Sequence, residues 1–394
     1  MLLKKFVSVI TILLLLLYPN QLNTLAAKNG QLDLKSKGAV LLDSDTGAVL
    51  YAKNAEKRMY PASLTKIATA IYAIEKGNLD SIATVSGNAV RQDGTRVYLE
   101  EGEQITLKKL IQGMLVNSGN DAAVAIAEHL DGSVKQFSAN LNGYLKTTIG
   151  VNNTHFINPS GLFDKNHYTT AMDLAIMTNY AIKNPVFAEI FGTKVLKWKG
   201  KSWKTNILSH HRMLTGELTY PGITGGKTGF TVKAKQTLST TASNAKIRLT
   251  AVVLNSEQKK DKYDDTASLF DYGFKNYQRA IIKQGAIYST NQKEYYPEKD
   301  TLITESINGS SKELNNEGKL IIKSINGQVV QIVPLKYKEP MPEKVAAKSN
   351  KAVEKEQQKQ EEQQLIHVNA IYGIIIIVLA GILIGVRKKF TRKL

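Results

Sequence analysis

The sequence predicts an α+β fold in which one antiparallel sheet, built from both ends of a domain, carries helices on its faces. Strand patterns occur at 39–42 and 48–51 and return only at 237–242, while helical patterns fill the interval. A shorter strand-rich stretch follows, and after it comes an apolar segment of membrane-spanning length. Helices between paired strands are the simplest cover for the apolar faces of such a sheet.

The first two strand patterns are separated by a short polar turn. Residues 39–42 and 48–51 are apolar, and the turn at 43–47 ends in Gly47. Two short apolar runs joined by a glycine-containing turn predict an antiparallel pair.

The middle of the chain has helical periodicity. Leu64, Ile67, Ala68, Ile71 and Ile74 recur at helical spacing, and Gly77 stands where a helix C-cap is expected. Similar patterns at 107–116, 122–130 and 171–182 predict three more helices.

Strands return after residue 229 and continue into a second region. Residues 237–242 and 247–254 flank a turn at 243–245 and close the first domain, predicted at 28–275. A small β-rich domain is predicted at 276–338, where Asn326-Gly327 between two alternating runs is a strong hairpin signal. The Lys/Glu/Gln-rich stretch at 339–366 predicts a helical or disordered stalk, and composition leaves both open.

The N-terminal region has the pattern of a secretory signal peptide. Lys4 and Lys5 precede an apolar run at 6–17, and small residues at 26–27 suit cleavage there. The run is short for a membrane span, which favours a cleaved signal at 1–27 over an uncleaved anchor.

The segment at 367–386 is predicted to be a transmembrane helix. Its apolar run reaches about 20 residues, and the basic tail at 387–394 marks the cytoplasmic side. We therefore expect a single-pass protein of the cell membrane whose catalytic domain is extracellular. A buried core helix is the alternative, but the run is apolar around its whole circumference.

Composition limits the possible chemistry. The chain has no cysteine, so disulfides and thiolate metal sites are excluded, and none of its six histidines has a zinc-binding spacing. The formal net charge is +18, which suits an anionic cell envelope. No nucleic-acid motif is present. We expect no nucleic-acid partner, no metal and no cofactor.

Three short motifs occur in a fixed order in the first domain. Each is weak alone, since Ser-x-x-Lys and Ser-x-Asn both recur elsewhere, and only Lys-Thr-Gly is unique. Their order and context carry the signal. They are Ser63-Leu64-Thr65-Lys66, Ser118-Gly119-Asn120 and Lys227-Thr228-Gly229.

The first motif suits nucleophilic catalysis without histidine. Ser63 and Lys66 stand one turn apart on one helix face, and the helix N-terminus offers N–H groups to an oxyanion. Serine needs a base, and lysine serves as one when burial and a second cation such as Lys227 favour its neutral form. The alternative is that Ser63 only caps the helix and Lys66 is solvated.

The other two motifs suit substrate positioning. Residues 118–120 interrupt two helical patterns, where a tight turn can hold a hydroxyl and an amide over a cleft. Glycines around Lys227 allow close backbone approach, and Lys227 with Thr228 offers a cation and a hydroxyl to a carboxylate.

With these residues in hand, the chain resembles the low-molecular-mass penicillin-binding proteins, specifically the D-alanyl-D-alanine carboxypeptidases of the S11 peptidase type. The resemblance covers about 33–275. It rests on the stretches 61–66, 118–125, 158–162, 170–173 and 225–231. The family implies a β-lactamase/transpeptidase-like fold for the first domain.

The resemblance also implies the function and the site. The expected reaction removes the terminal D-alanine from peptidoglycan stem pentapeptides through a Ser63 acyl-enzyme, which limits substrate for wall crosslinking, and β-lactams should acylate the same serine. Oxyanion donors would be the N–H groups of Ser63 and Phe230. The implied catalytic residues are Ser63, Lys66 and Ser118, and the implied substrate-binding residues are Asn120, Lys227, Thr228, Gly229 and Phe230.

The sequence departs from the family pattern in three places. Lys235 stands where the family often has glycine, the second domain looks shorter than usual, and the anchor looks transmembrane rather than amphipathic. A cysteine-free chain with this anchor suits a Gram-positive surface.

Three other functions share some of these features. A class A β-lactamase needs a deacylating carboxylate, and no acid between Asn120 and Lys227 lies in a Glu-x-x-Leu-Asn context. A wall-crosslinking transpeptidase differs only in its acceptor, which the sequence leaves open. A catalytically dead wall-binding scaffold is disfavoured because all three motifs are intact.

Overall fold

The computed structural model describes residues 32–339 and 358–359. The predicted signal peptide at 1–27, the membrane segment at 367–386, the basic tail and most of the predicted stalk lie outside these residues. Within the part that is described, no helix has both the length and the apolar character to cross a membrane.

One antiparallel sheet forms the centre of the first domain, as predicted, and it has five strands, of which four were predicted and the one at 223–231 was not. Its strands are β1 (Gly38–Asp43), β2 (Val49–Lys53), β7 (Ile223–Thr231), β8 (Lys235–Ser243) and β9 (Arg248–Ser256). Their order is β2-β1-β9-β8-β7, so strands from both ends of the domain pair in one sheet.

Nine α-helices are described in this domain, and two further strand pairs lie between them. The strand pairs are β3 (Ile82–Thr84) with β4 (Gln104–Thr106) and β5 (Val195–Lys199) with β6 (Lys204–Leu208). The helices are α1 (Thr65–Lys76), α2 (Gly87–Val90), α3 (Leu107–Val116), α4 (Asn120–Asp131), α5 (Val134–Tyr144), α6 (Ala171–Ala181), α7 (Pro185–Phe191), α8 (Arg212–Thr215) and α9 (Lys259–Asn276).

The sheet is buried on both faces. Along β1, Val40 and Leu42 pack with the helices of the middle of the chain, while Ala39 and Leu41 pack on the opposite face with α9. Successive side chains of a strand point to opposite faces of the sheet, so neighbouring residues of β1 pack against different helices. Because both faces are covered, residues 39–42 of the strand are all apolar.

Helix α9 was missing from the sequence prediction. Its 18 residues are rich in lysine and aspartate, and its buried side includes Thr266 and Gly273 beside Phe270. A Cβ at Gly273 would come within 2.6 Å of a Leu249 methyl group, so this glycine lets the helix approach the sheet. Because polar residues interrupt its apolar face, the helix has no clear hydrophobic periodicity in the sequence.

Gly77 ends α1, as predicted, but not through a left-handed turn. Its φ is −100°, which any residue can adopt. A Cβ at this position would lie 2.4 Å from a Leu107 methyl group and 2.8 Å from the Ala73 carbonyl oxygen. Close packing, rather than backbone conformation, therefore requires the glycine.

Strands follow directly after α9. They are β10 (Tyr277–Ile282), β11 (Tyr288–Thr290), β12 (Lys293–Tyr296), β13 (Thr301–Ser306), β14 (Ser310–Leu314), β15 (Lys319–Ser324), β16 (Val329–Pro334) and β17 (Lys336–Lys338). Small sheets surround a core of Ile282, Ile303, Leu320, Ile322 and Val333. The hairpin predicted around Asn326-Gly327 is present as β15 and β16.

The β13 strand is joined to the β1–β2 turn by buried polar contacts. The Thr304 hydroxyl donates to a carboxylate oxygen of Asp43 at 2.8 Å and contacts the Thr46 hydroxyl at 2.6 Å. Arg279 of β10 forms an ion pair with Asp45 in the same turn. These contacts fix the strand-rich region on the end of the central sheet.

Lys235, the position noted as a departure from the family pattern, begins β8 directly after the turn from β7. Its φ is +57°, in the left-handed region that disfavours residues with a Cβ. Its ammonium lies 3.4 Å from a Glu257 carboxylate oxygen, and both side chains are exposed, so the ion pair adds little stability.

We expect Lys235→Gly to raise the free energy of unfolding by roughly 0.5–1 kcal/mol, because relief of the left-handed strain exceeds the extra chain entropy of glycine. Denaturant unfolding followed by circular dichroism measures the change. Lys235→Ala is the control, since it removes the ion pair and keeps the strain. Equal stability of the Gly and Ala variants would contradict the assignment of strain to this residue.

Candidate active site

Ser63 lies in a 3-10 turn, Ala62–Leu64, that leads directly into α1. Ala62 has a φ of +49°, so the backbone makes an unusual bend immediately before the serine. Lys66 follows in the first turn of α1 and is completely buried. The predicted alternative, in which Lys66 is solvated, is therefore wrong.

The Lys66 ammonium has three acceptors. It donates to the Ser63 hydroxyl at 3.0 Å, to the Asn120 side-chain oxygen at 2.8 Å and to the Ser160 carbonyl oxygen at 2.7 Å. Burial, and secondarily the charge of Lys227, lowers the pKa of Lys66 well below its usual value. A lysine that loses its proton easily beside a serine hydroxyl can act as its base.

Ser118 lies in the turn between α3 and α4, and Asn120 is the first residue of α4, so the motif lies between two helices as the sequence indicated. Ser118 has a φ of +63°, a strained conformation for a residue with a side chain. The Asn120 amide nitrogen donates to the Asp93 carbonyl oxygen at 2.6 Å, which turns its oxygen toward Lys66. The turn thus holds a hydroxyl and an amide oxygen in fixed directions.

The buried carboxylate of Asp121 holds the neighbouring loop. It accepts hydrogen bonds from the N–H groups of Val97 at 3.0 Å and Leu99 at 3.2 Å. In this way α4 fixes the loop that carries Thr95 into the cavity wall.

Lys227 lies on β7, one of the two edge strands of the sheet, and is 2 % exposed. It donates to the Ser118 hydroxyl at 3.0 Å and to the Thr228 carbonyl oxygen at 2.9 Å. Burial, with a smaller contribution from Lys262, lowers the pKa of Lys227 to about 7. The structure therefore brings the three motifs into one hydrogen-bonded group.

Gly229 is required by the packing of β7 on the Ser63 turn. A Cβ at this position would lie 2.3 Å from the Thr237 hydroxyl and 3.0 Å from the Ser63 nitrogen. The sequence analysis explained the glycines around Lys227 by the need for a substrate to approach the backbone closely. For Gly229 the structure gives a second reason, which is the close packing of the Ser63 turn against β7.

A cavity of about 360 Å³ opens at Ser63. Five of the predicted site residues line it: Ser63, Ser118, Thr228, Gly229 and Phe230. Lys66, Asn120 and Lys227 lie behind this wall, buried. The lining residues that the sequence prediction missed are Thr95, His210, Gln236, Lys259 and Lys262.

Two of the missed residues, Lys259 and Lys262, bring positive charge to the cavity. Lys262 donates to the Gln236 side-chain oxygen at 2.8 Å, and burial, followed by the charge of Lys259, lowers its pKa to about 8. Both lysines belong to α9, the helix that the sequence prediction missed. Among the described residues that line the cavity, none is an aspartate or glutamate.

This arrangement can perform acyl transfer. The Ser63 hydroxyl lies 3.0 Å from the buried Lys66 amine, which can serve as its base, and a second serine–lysine pair, Ser118 and Lys227, adjoins the same cavity through Ser118. The cationic wall suits a substrate that carries a carboxylate.

Comparisons with known proteins agree with this chemistry. The family model Peptidase S11, described as D-alanyl-D-alanine carboxypeptidase, matches residues 24–258. The D-alanyl-D-alanine carboxypeptidase DacF of Bacillus subtilis is 35 % identical over 258 residues, which cover 64 % of this chain and 65 % of that protein. The match thus spans slightly less than two thirds of the length of that relative.

Two solved structures are similar to the chain. Penicillin-binding protein 5 from Haemophilus influenzae has a TM-score of 0.67 at 26 % identity, covering 78 % of this chain and 97 % of that one. A point mutant of the Streptomyces K15 DD-transpeptidase has a TM-score of 0.57 at 27 % identity, covering 62 % of this chain and 99 % of that one.

The lowered pKa of Lys227 makes stability depend on pH. Unfolded Lys227 holds its proton up to its usual pKa of 10.5, whereas the folded state releases it near 7. Because the unfolded state binds more protons in this window, the contribution of Lys227 to the free energy of unfolding rises with pH from 7 to about 10. We expect wild type to gain stability relative to Lys227→Met between pH 7 and 9.

Urea unfolding of both proteins at pH 7, 8 and 9 checks this expectation. The control is Lys246→Met, which removes an exposed lysine and should leave the pH slope of wild type unchanged. A constant stability difference between wild type and Lys227→Met would mean that Lys227 has an ordinary pKa in the folded chain.

Proposed function

The chain belongs to the peptidase S11 family of D-alanyl-D-alanine carboxypeptidases, and we propose that it removes the terminal D-alanine of peptidoglycan stem pentapeptides through an acyl-enzyme on Ser63. The family predicted from the three motifs is confirmed, and so is the hydrolase class of the enzyme at the level of the family. Solved relatives have penicillin-binding-protein and transpeptidase folds of mixed helices and sheets, which confirms that part of the predicted fold.

The contact between Lys66 and Ser63 is the observation that carries the proposal. The Lys66 amine takes the proton of the Ser63 hydroxyl as the serine oxygen attacks the carbonyl between the two D-alanines. The oxyanion that forms is stabilised by the N–H groups of Ser63 and Phe230. Both residues line the cavity.

Collapse of the tetrahedral intermediate breaks the peptide bond. The Ser118 hydroxyl, paired with Lys227 at 3.0 Å, delivers a proton to the departing amine of D-alanine, and the proton that Lys66 took from Ser63 replaces it, which leaves Lys66 neutral again. The tetrapeptide remains on Ser63 as an ester. Water then attacks the ester carbonyl and gives a proton to the neutral Lys66, which passes it to the Ser63 oxygen as the ester bond breaks and the tetrapeptide leaves.

Carboxylate recognition follows from the charges around the cavity. Lys227 and Thr228 lie on β7 where an extended peptide can run beside the edge strand. The terminal D-alanine carries the free carboxylate at the end of the stem backbone, and the cationic side of the cavity favours it. Penicillins place a carboxylate beside a strained amide and should acylate Ser63 in the same way.

A transpeptidase is the second candidate, and the similarity to the Streptomyces K15 DD-transpeptidase supports it. The same acyl-enzyme gives either product, depending on whether water or an amine attacks. A β-lactamase has less support, because the described cavity wall lacks a carboxylate that could activate the deacylating water.

The proposed location is the outer face of the cell membrane, with the chain held there by an anchor at 367–386. Support comes from the sequence alone: the signal-peptide pattern at 1–27, the apolar run and the basic tail at 387–394. A membrane anchor would hold the catalytic domain beside newly made peptidoglycan of a Gram-positive envelope.

We expect the purified chain to release D-alanine from a stem pentapeptide and Ser63→Ala to release none, since no other serine contacts Lys66 through its hydroxyl in the described structure. Mass spectrometry should show one penicilloyl group on wild type and none on the variant. Ser138→Ala, which truncates a buried serine of α5, is the matched control and should keep both activities.

Addition of glycine as an acceptor amine separates the two candidate reactions. Hydrolysis gives the tetrapeptide alone, whereas transpeptidation gives a glycine-exchanged pentapeptide. Undiminished D-alanine release by Ser63→Ala would refute the proposed nucleophile.

We expect removal of residues 367–394 to move the expressed protein from the membrane fraction into the soluble fraction. Carbonate-washed membranes and immunoblotting measure the distribution. Removal of 387–394 alone is the control and should leave the protein in the membrane. A chain that stays in the membrane without 367–394 would place the anchor elsewhere.

A further inference from the structure

His167 is buried beneath the Ser63 turn and is outside the predicted machinery. It is 2 % exposed and stacks on Phe156 with ring centroids 4.9 Å apart. Its Nε2 lies 2.9 Å from the Thr65 hydroxyl, and its Nδ1 accepts the Ile157 N–H at 3.2 Å. A buried polar ring with both nitrogens occupied has a defined orientation.

The hydrogen bonds assign the tautomer of His167. Because Nδ1 accepts from a backbone N–H, the ring proton is on Nε2, and Nε2 donates to the Thr65 oxygen. The Thr65 hydroxyl proton is then free to point at the Ala62 carbonyl oxygen, which lies 2.9 Å away. A directed chain therefore runs from His167 through Thr65 to Ala62.

The end of this chain is the peptide bond that contains the Ser63 N–H. A peptide unit is planar, so its carbonyl oxygen and its N–H point in opposite directions. The Ala62 oxygen accepts from the Thr65 hydroxyl, and a Cβ on Gly229 of β7 would lie 3.0 Å from the Ser63 nitrogen. Holding the oxygen of Ala62 therefore directs the N–H of Ser63 toward β7 and the cavity.

This peptide needs to be held because its backbone is strained. Ala62 has a φ of +49°, which costs roughly 1–2 kcal/mol for an L-residue. The site also has no spare room: a Cβ at Gly161 would fall 1.8 Å from the Ala62 oxygen. The hydrogen bond from Thr65 compensates for a conformation that the alanine alone disfavours.

We propose that His167 is a positioning residue for the oxyanion donor, acting through the Thr65 hydroxyl on the orientation of the Ala62–Ser63 peptide. This proposal rests on the proposed function, in which the Ser63 N–H stabilises the tetrahedral oxyanion. His167 touches neither the serine hydroxyl nor Lys66, and it transfers no proton in the reaction.

The protonation state of His167 agrees with a static role. Burial, and to a lesser extent His155, lowers the pKa of His167 to about 3. The ring therefore stays neutral above about pH 5, and the tautomer that serves Thr65 persists. Replacing His167 should lower kcat by the same factor at every pH and leave the apparent pKa values of the pH–kcat profile unchanged.

A double-mutant cycle tests the chain. Thr65→Val removes the hydroxyl at nearly constant volume, and His167→Leu removes the donor to it. Loss of one oxyanion donor costs roughly 100- to 1,000-fold, so its misorientation should lower kcat about tenfold in each variant, with KM little changed. Because both residues act through one chain, the double variant should be no slower than either single variant.

Conservative and control variants separate positioning from loss of packing. In His167→Gln the amide can donate to Thr65 and accept from Ile157, so most of kcat should return. Thr178→Val is the matched control: it removes another buried helical hydroxyl, bonded to the Leu174 carbonyl oxygen and Ser239, and should keep wild-type kcat. Thermal unfolding of every variant checks that the fold is intact.

The Ser63 amide gives a readout that does not depend on activity. In ¹⁵N-labelled protein, the Ser63 amide signal should shift in Thr65→Val and in His167→Leu and return toward wild type in His167→Gln. If wild type released no D-alanine, the proposed function would fail while this signal still tested the positioning. An unmoved Ser63 signal, or losses in kcat that multiply in the double variant, would overturn the proposal.

Discussion

Burial of the Lys66 ammonium is the constraint on which the site depends. A charged amine removed from water is costly unless it is fully hydrogen-bonded, and Lys66 meets this requirement with three acceptors at 2.7–3.0 Å. Each acceptor comes from a different part of the chain: Ser63 from the turn before α1, Asn120 from the start of α4 and Ser160 from the loop before α6. None of these three elements can move alone without leaving the lysine unsatisfied. Burial, which lowers the pKa of Lys66, therefore also demands the contacts that bring Ser63, Asn120 and Ser160 together.

The sheet gives this group its second wall. Strand β7 is an edge strand, so its outer backbone groups are open to pairing with an extended peptide. The same strand carries Lys227 inward to Ser118 and, through Gly229, packs against the Ser63 turn. An edge that would otherwise promote aggregation is thus placed beside the nucleophile, where a bound peptide would complete it.

Local patterns in the sequence predicted most of this arrangement, and the features that were missed depend on an interrupted apolar pattern or on contacts between distant parts of the chain. The motif residues and four of the five central strands were found because periodicity and short spacings survive in a single sequence, whereas the glycine-rich β7 has no such periodicity. Helix α9 was missed because lysines and aspartates interrupt its apolar face, and with it the sequence analysis missed Lys259 and Lys262. Their relevance depends on how α9 lies across the sheet, which no spacing along the chain encodes. His167 was considered only as one of six histidines without a zinc-binding spacing. Its contact with Thr65 joins residues 102 positions apart, and no pattern along the chain reveals such a contact.

The cations around the cavity show how the site is prepared for its substrate. Lys66, Lys227 and Lys262 are all buried, and repulsion from neighbouring lysines adds to burial in lowering their pKa values. Such a cluster is unfavourable in the free protein, because the described cavity wall supplies no anion and the buried Asp121 carboxylate only partly offsets the effect of burial and of Lys227 on Lys66. A substrate carboxylate would supply that negative charge. Part of the binding free energy would then come from relief of the electrostatic repulsion between lysines that exists in the folded protein before substrate binds. Since a nearby anion raises the pKa of a lysine, the carboxylate would also favour the charged form of Lys227 while Lys66, held behind Ser63, could remain the neutral base. The site can thus use one lysine as a cation and the other as a base, although both are buried.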